Sequence, residues 1–252
     1  MHAVRRIDFA ACSDVGLIRR RNEDVFAADA EHGFMVLADG MGGHGGGDIA
    51  ASITVHVVSE GLRGMMAEAA HVNDLVGQAF DLVDRANAAV IEMAATDLQL
   101  AEMGCTLVFM AFHGDDAVCV NVGDSRAYRL RGEALECLSH DHTVLQQMVD
   151  HGMMTAQQAA RLGGKGCLTR AIGVEAAVMP ELVVQEVFKG DIFLLCSDGL
   201  TDLVAEAEIA RALMQPLSLA GRAELLIDMS NQRGGFDNVS CVIAQPLYPD
   251  LT

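Results

Sequence analysis

Four aspartates in this 252-residue chain stand at the ends of apolar runs: Asp39 after FMVLA (34–38), Asp124 in CVNVGDSR (119–126), Asp198 after FLLCS (193–197) and Asp237 in GGFDN (234–238). A strand end fixes the direction of its side chain, so several such carboxylates can converge on one edge of a sheet. A single Asp-Gly is ordinarily just a turn. Four of them, beside a further acidic cluster at Asn22-Glu23-Asp24, point to a site. Converging carboxylates repel unless cations neutralise them, and an oxygen-only donor set suits Mg²⁺ or Mn²⁺ better than zinc.

The elements that must position these groups follow from apolar periodicity. Strands are expected over 4–12, 25–29 and 34–38, then two helices back to back over 48–64 and 72–93. Strands over 105–113, 117–123, 127–131 and 134–139 follow with no helix between them, and their short connections predict antiparallel neighbours. A polar, helix-prone insertion covers 141–166, with Thr155 as a helix N-cap. Strands at 181–188 and 191–196, helices at about 206–214 and 219–231, and a strand at 238–244 complete the chain. This order predicts an α+β layered architecture and argues against a βαβ repeat; with no internal boundary, residues 1–252 read as one domain.

Composition narrows the function classes. Thirty-five acidic against 17 basic residues give a net charge of −18, which disfavours nucleic acid and anionic lipid as partners. A 51% hydrophobic content supplies a sizeable core. No apolar run approaches the ~18 residues that span a bilayer, and the N-terminus does not read as a secretory signal. The seven scattered cysteines form no CxxC pair, so they read as buried small hydrophobes of a cytoplasmic protein.

With these blocks in view, the chain resembles the metal-dependent protein serine/threonine phosphatases of the PP2C (PPM) family, in their bacterial form. The matching blocks are SDVGLIRRRNEDVF (13–26), LADGMGGHGGGDIAAS (37–52), GCTLVF (104–109), VGDSRAYRL (122–130), LSHDHTVLQQMVDHGMMT (138–155), CLTRAIG (167–173), GDIFLLCSDGLTDLV (190–204) and FDNVSCVI (236–243). The resemblance implies a four-layer α/β/β/α sandwich of two mostly antiparallel sheets flanked by helix pairs, with a flap at about 141–166. It implies that Asp39 bridges two Mn²⁺ or Mg²⁺ ions, that the Gly40 carbonyl, Asp198 and Asp237 complete their ligands, and that Asp124 serves a weaker third ion. Glu23 and Asp24 would hold metal-bound water, with Asp202 behind them. Arg19 would clamp phosphate, since a guanidinium can give two parallel hydrogen bonds to phosphate oxygens. The implied reaction is hydrolysis of phosphoserine and phosphothreonine on proteins, a water between the two metals attacking phosphorus directly. The implied partners are phosphorylated proteins, a Ser/Thr kinase and its targets among them, with the chain acting as a monomer and without nucleic acid or membrane insertion.

Departures limit the transfer. Eukaryotic members carry His directly after the Asp-Gly, where this chain has Met41, so acid catalysis falls to metal-bound water or to another group, with His44 in the glycine tract as the candidate residue. Cys105 stands where the family usually has Thr, and His140 and His142 fall in a structural turn. One rival reading takes Gly40-Met-Gly42-Gly-His-Gly45, with Glu60 downstream, as a dinucleotide-binding fingerprint; another is a non-catalytic regulator with the same fold.

Overall fold

The computed structural model describes residues 6–42, 46–162 and 167–248. Its strands are β1 (Ile7–Asp14), β2 (Asp24–Asp29), β3 (Phe34–Met41), β4 (Gly104–Cys105), β5 (Leu107–His113), β6 (Asp116–Val122), β7 (Arg126–Arg131), β8 (Ala134–Cys137), β9 (Glu181–Glu186), β10 (Ile192–Cys196) and β11 (Val239–Pro246). The helices are α1 (Gly47–Glu68), α2 (Val72–Ala94), α3 (Val144–Asp150), α4 (Ala156–Leu162), α5 (Asp198–Thr201), α6 (Glu206–Leu213) and α7 (Leu219–Gln232). One sheet has the order β1-β11-β10-β7-β8; the other runs β2-β3-β5-β6-β9, with β4 paired to β3.

Strand alternation builds the layers. Along β3, Phe34, Val36 and Ala38 join a cluster with Val55, Leu62, Leu82 and Val83 of α1 and α2. The intervening Met35 and Leu37 face the other sheet. In β10, Ile192, Leu194 and Cys196 pack with Ile209, Leu213 and Leu226 of α6 and α7, whereas Phe193 and Leu195 enter the layer between the sheets. These strands read as unbroken apolar runs because both of their faces are covered. The result is the four-layer α/β/β/α sandwich.

At one end of the inter-sheet layer the alternation continues but the residue type changes. The row Ile7, Phe9, Ala11 of β1 ends in Ser13, and the β3 row Met35, Leu37 ends in Asp39. The β11 row Ala244, Val242 runs back through Ser240 to Asn238, and Phe26 of β2 is preceded on its face by Asp24. An apolar layer thus opens into a polar mouth shared by both sheets.

Two sequence expectations change, and one rival reading is removed. Strands β6 and β7 are not neighbours: β6 pairs with β5 and β9, and β7 with β10 and β8. The three-residue link 123–125 instead steps from one sheet to the other, with Gly123 at φ +102° making the turn. The strand expected at 105–113 is interrupted at Thr106, whose side chain is diverted to the mouth. The glycine tract does not open a βαβ unit, because β3 is antiparallel to both its neighbours β2 and β5, which removes the dinucleotide reading. The inserted segment carries α3 as well as α4. Thr155 caps α4 as expected, accepting from the Gln158 N–H at 3.2 Å, and Thr143 caps α3 in the same way from Gln146 at 3.1 Å. No helix among the described residues is long and apolar enough to cross a membrane.

Phe193 anchors the inter-sheet layer, fully buried and edge-on to Phe112 at 5.2 Å between ring centroids. Phe193→Ala should lower the free energy of unfolding by about 3–5 kcal/mol in urea titrations. Leu98→Ala, at a side chain 94% exposed, should stay within about 0.5 kcal/mol of the parent.

Candidate active site

The polar mouth is a cleft of about 700 Å³ lined by Arg19, Glu23, Asp39, Gly40, Asp124, Asp198 and Asp237, together with Met41, Thr106, Arg170 and Asn238. Both sheets contribute. Asp39 lies in the last turns of β3, Asp198 opens α5 directly after β10, and Asp237 precedes β11. Asp124 sits in the link between the sheets, and Arg19 and Glu23 lie on the segment between β1 and β2, which makes the same crossing.

Asp24 lies below the cleft floor. It is directly opposite Asp39 across the β2–β3 pair, and its carboxyl reaches that of Asp39. Burial pushes its pKa up to about 6, with the Asp198 charge adding to the rise and hydrogen bonds from Ser240 and Ser197 opposing it. Its Oδ2 accepts from Ser197 Oγ at 2.8 Å, whereas its buried Oδ1 receives no hydrogen bond. Burial also raises the pKa of Glu23, with the Asp48 charge adding to the effect.

A chain of hydroxyls and amides fixes the backbone beneath these acids. Thr106 Oγ1 accepts from the Asp39 N–H at 2.9 Å and contacts Ser125 Oγ at 2.7 Å, while the Thr106 N–H donates to the Asp39 carbonyl at 2.9 Å. Ser197 occupies the N-cap of α5 without capping it, because its hydroxyl is committed to Asp24 and to the Ser240 N–H. Asn238 is buried and uses its whole amide: Oδ1 accepts from the Glu23 N–H at 2.9 Å, and Nδ2 donates to the carbonyls of Val15 and Arg21 at 3.0 and 2.8 Å. Gly40 admits no side chain, since a Cβ there would overlap the carbonyl oxygens of Gly47 and Glu23.

Arg19 grips Asp237 through Nε at 2.8 Å and Nη2 at 2.9 Å, which commits two of its five N–H donors. His142 is buried and accepts the Gly123 N–H at Nδ1 (3.1 Å). Burial, with the neighbouring Arg170 charge, lowers its pKa to about 4, so it supports the Asp124 turn as a neutral ring. Asp202 is exposed at the end of α5, its N–H bonded to the Asp198 carbonyl at 2.8 Å, and does not line the cleft. His44 lies outside the described residues. Of the seven cysteines expected to be buried, Cys105, Cys119, Cys196 and Cys241 are, whereas Cys12 is half-buried, Cys137 is exposed and Cys167 is exposed on the cleft wall.

The donor set fits a hard divalent cation. The ligand-bearing side chains offer only oxygen, two carboxyls abut at Asp24 and Asp39, and one buried carboxyl oxygen lacks a donor. Among the described residues no three such groups stand close enough together to hold an ion without side-chain movement. The sequence reading did not single out Asn238, Ser197 or Thr106; an Asn after Asp237 and a Ser before Asp198 were its only signals.

The raised pKa of Asp24 has a sign. A carboxyl whose folded pKa exceeds its unfolded value binds more protons when folded, so metal-free stability falls as pH rises between about 4 and 6. Asp24→Asn should flatten that slope in thermal melts recorded in EDTA across this range. Asn238→Ala, which orphans one N–H and two carbonyls, should destabilise the fold by about 2–4 kcal/mol in urea titrations.

The family model described as protein phosphatase 2C matches residues 19–231. A serine/threonine phosphatase stp of Listeria innocua is 32% identical over 236 residues, covering 92% of this chain and 93% of that one. The crystal structure of the catalytic domain of the serine/threonine protein phosphatase PstP, in complex with two manganese ions, is 35% identical with a TM-score of 0.85, covering 97% of this chain and 100% of that domain. PppA of Pseudomonas aeruginosa, a regulatory component of its T6SS, is 32% identical with a TM-score of 0.83, covering 97% and 99% of the two chains. This chain therefore belongs to the protein phosphatase 2C family of metal-dependent protein serine/threonine phosphatases.

Proposed function

We propose that the cleft hydrolyses phosphoserine and phosphothreonine monoesters of proteins, with Asp39, the Gly40 carbonyl, Asp198 and Asp237 holding two Mn²⁺ or Mg²⁺ ions and Asp124 a weaker third. One observation carries this reading: acids delivered from both sheets and an arginine line a single cleft. When bound, such a cation pair offsets phosphate charge and acidifies a water held between the ions. The chain's own groups do the rest. Arg19, anchored side-on by Asp237, keeps further N–H donors for phosphate oxygens, which orients the ester. Glu23 and Asp24 hold water and protons at the floor, and Asp202 supports Asp198 from the far end of α5. Gly40, pinned by its own N–H to the Glu23 carbonyl at 3.1 Å, keeps its carbonyl fixed. His44 is the candidate proton donor to the leaving alkoxide, in place of the residue missing at Met41.

This reading treats residues 1–252 as one catalytic domain with a flap at about 141–166. It places the chain in the cytoplasm as a monomer opposing a Ser/Thr kinase. Family membership and seven unpaired thiols support that setting.

Purified protein should release phosphate from p-nitrophenyl phosphate and from phosphothreonine peptides with Mn²⁺ or Mg²⁺, and EDTA should abolish turnover. Asp39→Asn and Asp198→Asn should lower kcat by about a thousandfold or more without unfolding the protein, as read by circular dichroism. Undiminished turnover in EDTA would sink the reading. Arg19→Lys should raise KM and lower kcat/KM by about tenfold, because an ammonium cannot make the paired hydrogen bonds.

A further inference from the structure

The lip of the cleft that carries Arg19 combines exposed apolar side chains with a run of three arginines in a chain of net charge −18. Leu17, Ile18 and Phe236 are 65%, 65% and 62% exposed, among the most exposed large apolar side chains described. The two chain segments that carry them meet, because the Leu17 N–H donates to the Gly235 carbonyl at 2.7 Å and the Leu17 side chain lies over Gly235, while Ile18 follows Leu17 and Phe236 follows Gly235 in the chain. Arg19, Arg20 and Arg21 follow directly, three of only 17 cations in a chain of net charge −18. Arg63, Arg126, Arg131 and Arg233 each have a carboxylate within 3 Å. Arg20 and Arg21 are exposed and have none within 4 Å among the described residues; Arg21 acts on Glu23 only through space.

The lip is also held in shape. Asp14 Oδ1 accepts from the Gly16 N–H at 2.8 Å and from Asn231 Nδ2 at 3.2 Å, and Asn238 ties the carbonyls of Val15 and Arg21 together. Apolar side chains that contribute nothing to the core, on a braced loop, beside unpaired guanidinium groups, suit a ligand with both an apolar side chain and carboxylates.

Resting on the phosphatase reading, we propose that this lip docks the substrate chain next to its phosphorylated residue and selects segments that carry aspartate or glutamate and an apolar side chain there. The chain's net charge of −18 disfavours such a segment elsewhere, so the lip also sets its register.

The test compares two phosphothreonine peptides of equal length, one flanked by Asp, Glu and Leu and the other by Lys, Ser and Leu, with p-nitrophenyl phosphate as a substrate that meets Arg19 but is too small to reach Leu17, Ile18, Arg20 and Phe236. The acidic peptide should be favoured in kcat/KM by roughly tenfold at low ionic strength, and the preference should shrink as salt approaches about 0.5 M. Arg20→Glu should reverse or erase the preference through KM, Arg20→Lys should retain most of it, and Ile18→Ser should weaken both peptides by roughly threefold. All three variants should turn over p-nitrophenyl phosphate as the parent does. Equal kcat/KM for the two peptides, or a preference untouched by Arg20→Glu, overturns the docking assignment. Loss of all turnover in the parent protein with Mn²⁺ would instead overturn the phosphatase reading beneath it.

Discussion

Like charges forced together at the open end of the inter-sheet layer are the constraint on which the rest depends. Asp24 and Asp39 face each other across one strand pair, a placement that is unfavourable for two carboxylates. Asp198 arrives from the other sheet close enough to raise the Asp24 pKa further. Alternation along β2 and β3 leaves Asp24 and Asp39 no other direction, and Asp198 is placed by the turn from β10 into α5. The apolar layer beneath, built on Phe112, Phe193, Leu195 and Met110, holds the two sheets in the relation that brings the acids together. Repulsion at the mouth is therefore sustained by packing several residues away, and a divalent cation is the natural counter-charge.

The groups at the mouth divide by how they are held. Asp24 and Asp39 ride on paired strands, and Thr106, Ser125 and Ser197 hold the adjoining backbone through short hydrogen bonds. Arg19, Asp124 and Asp237 sit on links between elements, which Asn238 and His142 brace from below. The link that carries Arg19 joins the two sheets, so the arginine reaches the cleft from a segment braced at both ends. Arg19 illustrates the coupling, since its grip on Asp237 joins the link between β1 and β2 to the segment that enters β11.

Much of this was legible in the sequence. Asp39 and Asp198 are visible because carboxylates recur at the ends of several apolar runs, a repetition that turn formation at any one of them does not require. The family blocks carried the layer order. What stayed hidden depends on side chains that look ordinary in sequence. Ser197 reads as a helix cap but gives its hydroxyl to Asp24, and Asn238 reads as a turn residue but stitches three segments. The step from β6 to β7 was also misread, because a short link normally joins neighbours; here Gly123, with a positive φ, bends the chain out of one sheet and into the other. Tertiary hydrogen bonding and sheet assignment are long-range facts, and local pattern does not encode them.

The most direct test is anomalous diffraction at the manganese edge from crystals grown with Mn²⁺. Two strong peaks are expected in the cleft about 3.5–4 Å apart, both touching Asp39, one bound by Asp198 and Asp237 and the other by the Gly40 carbonyl. A cleft without manganese peaks in crystals of protein that still hydrolyses phosphothreonine would contradict this assignment.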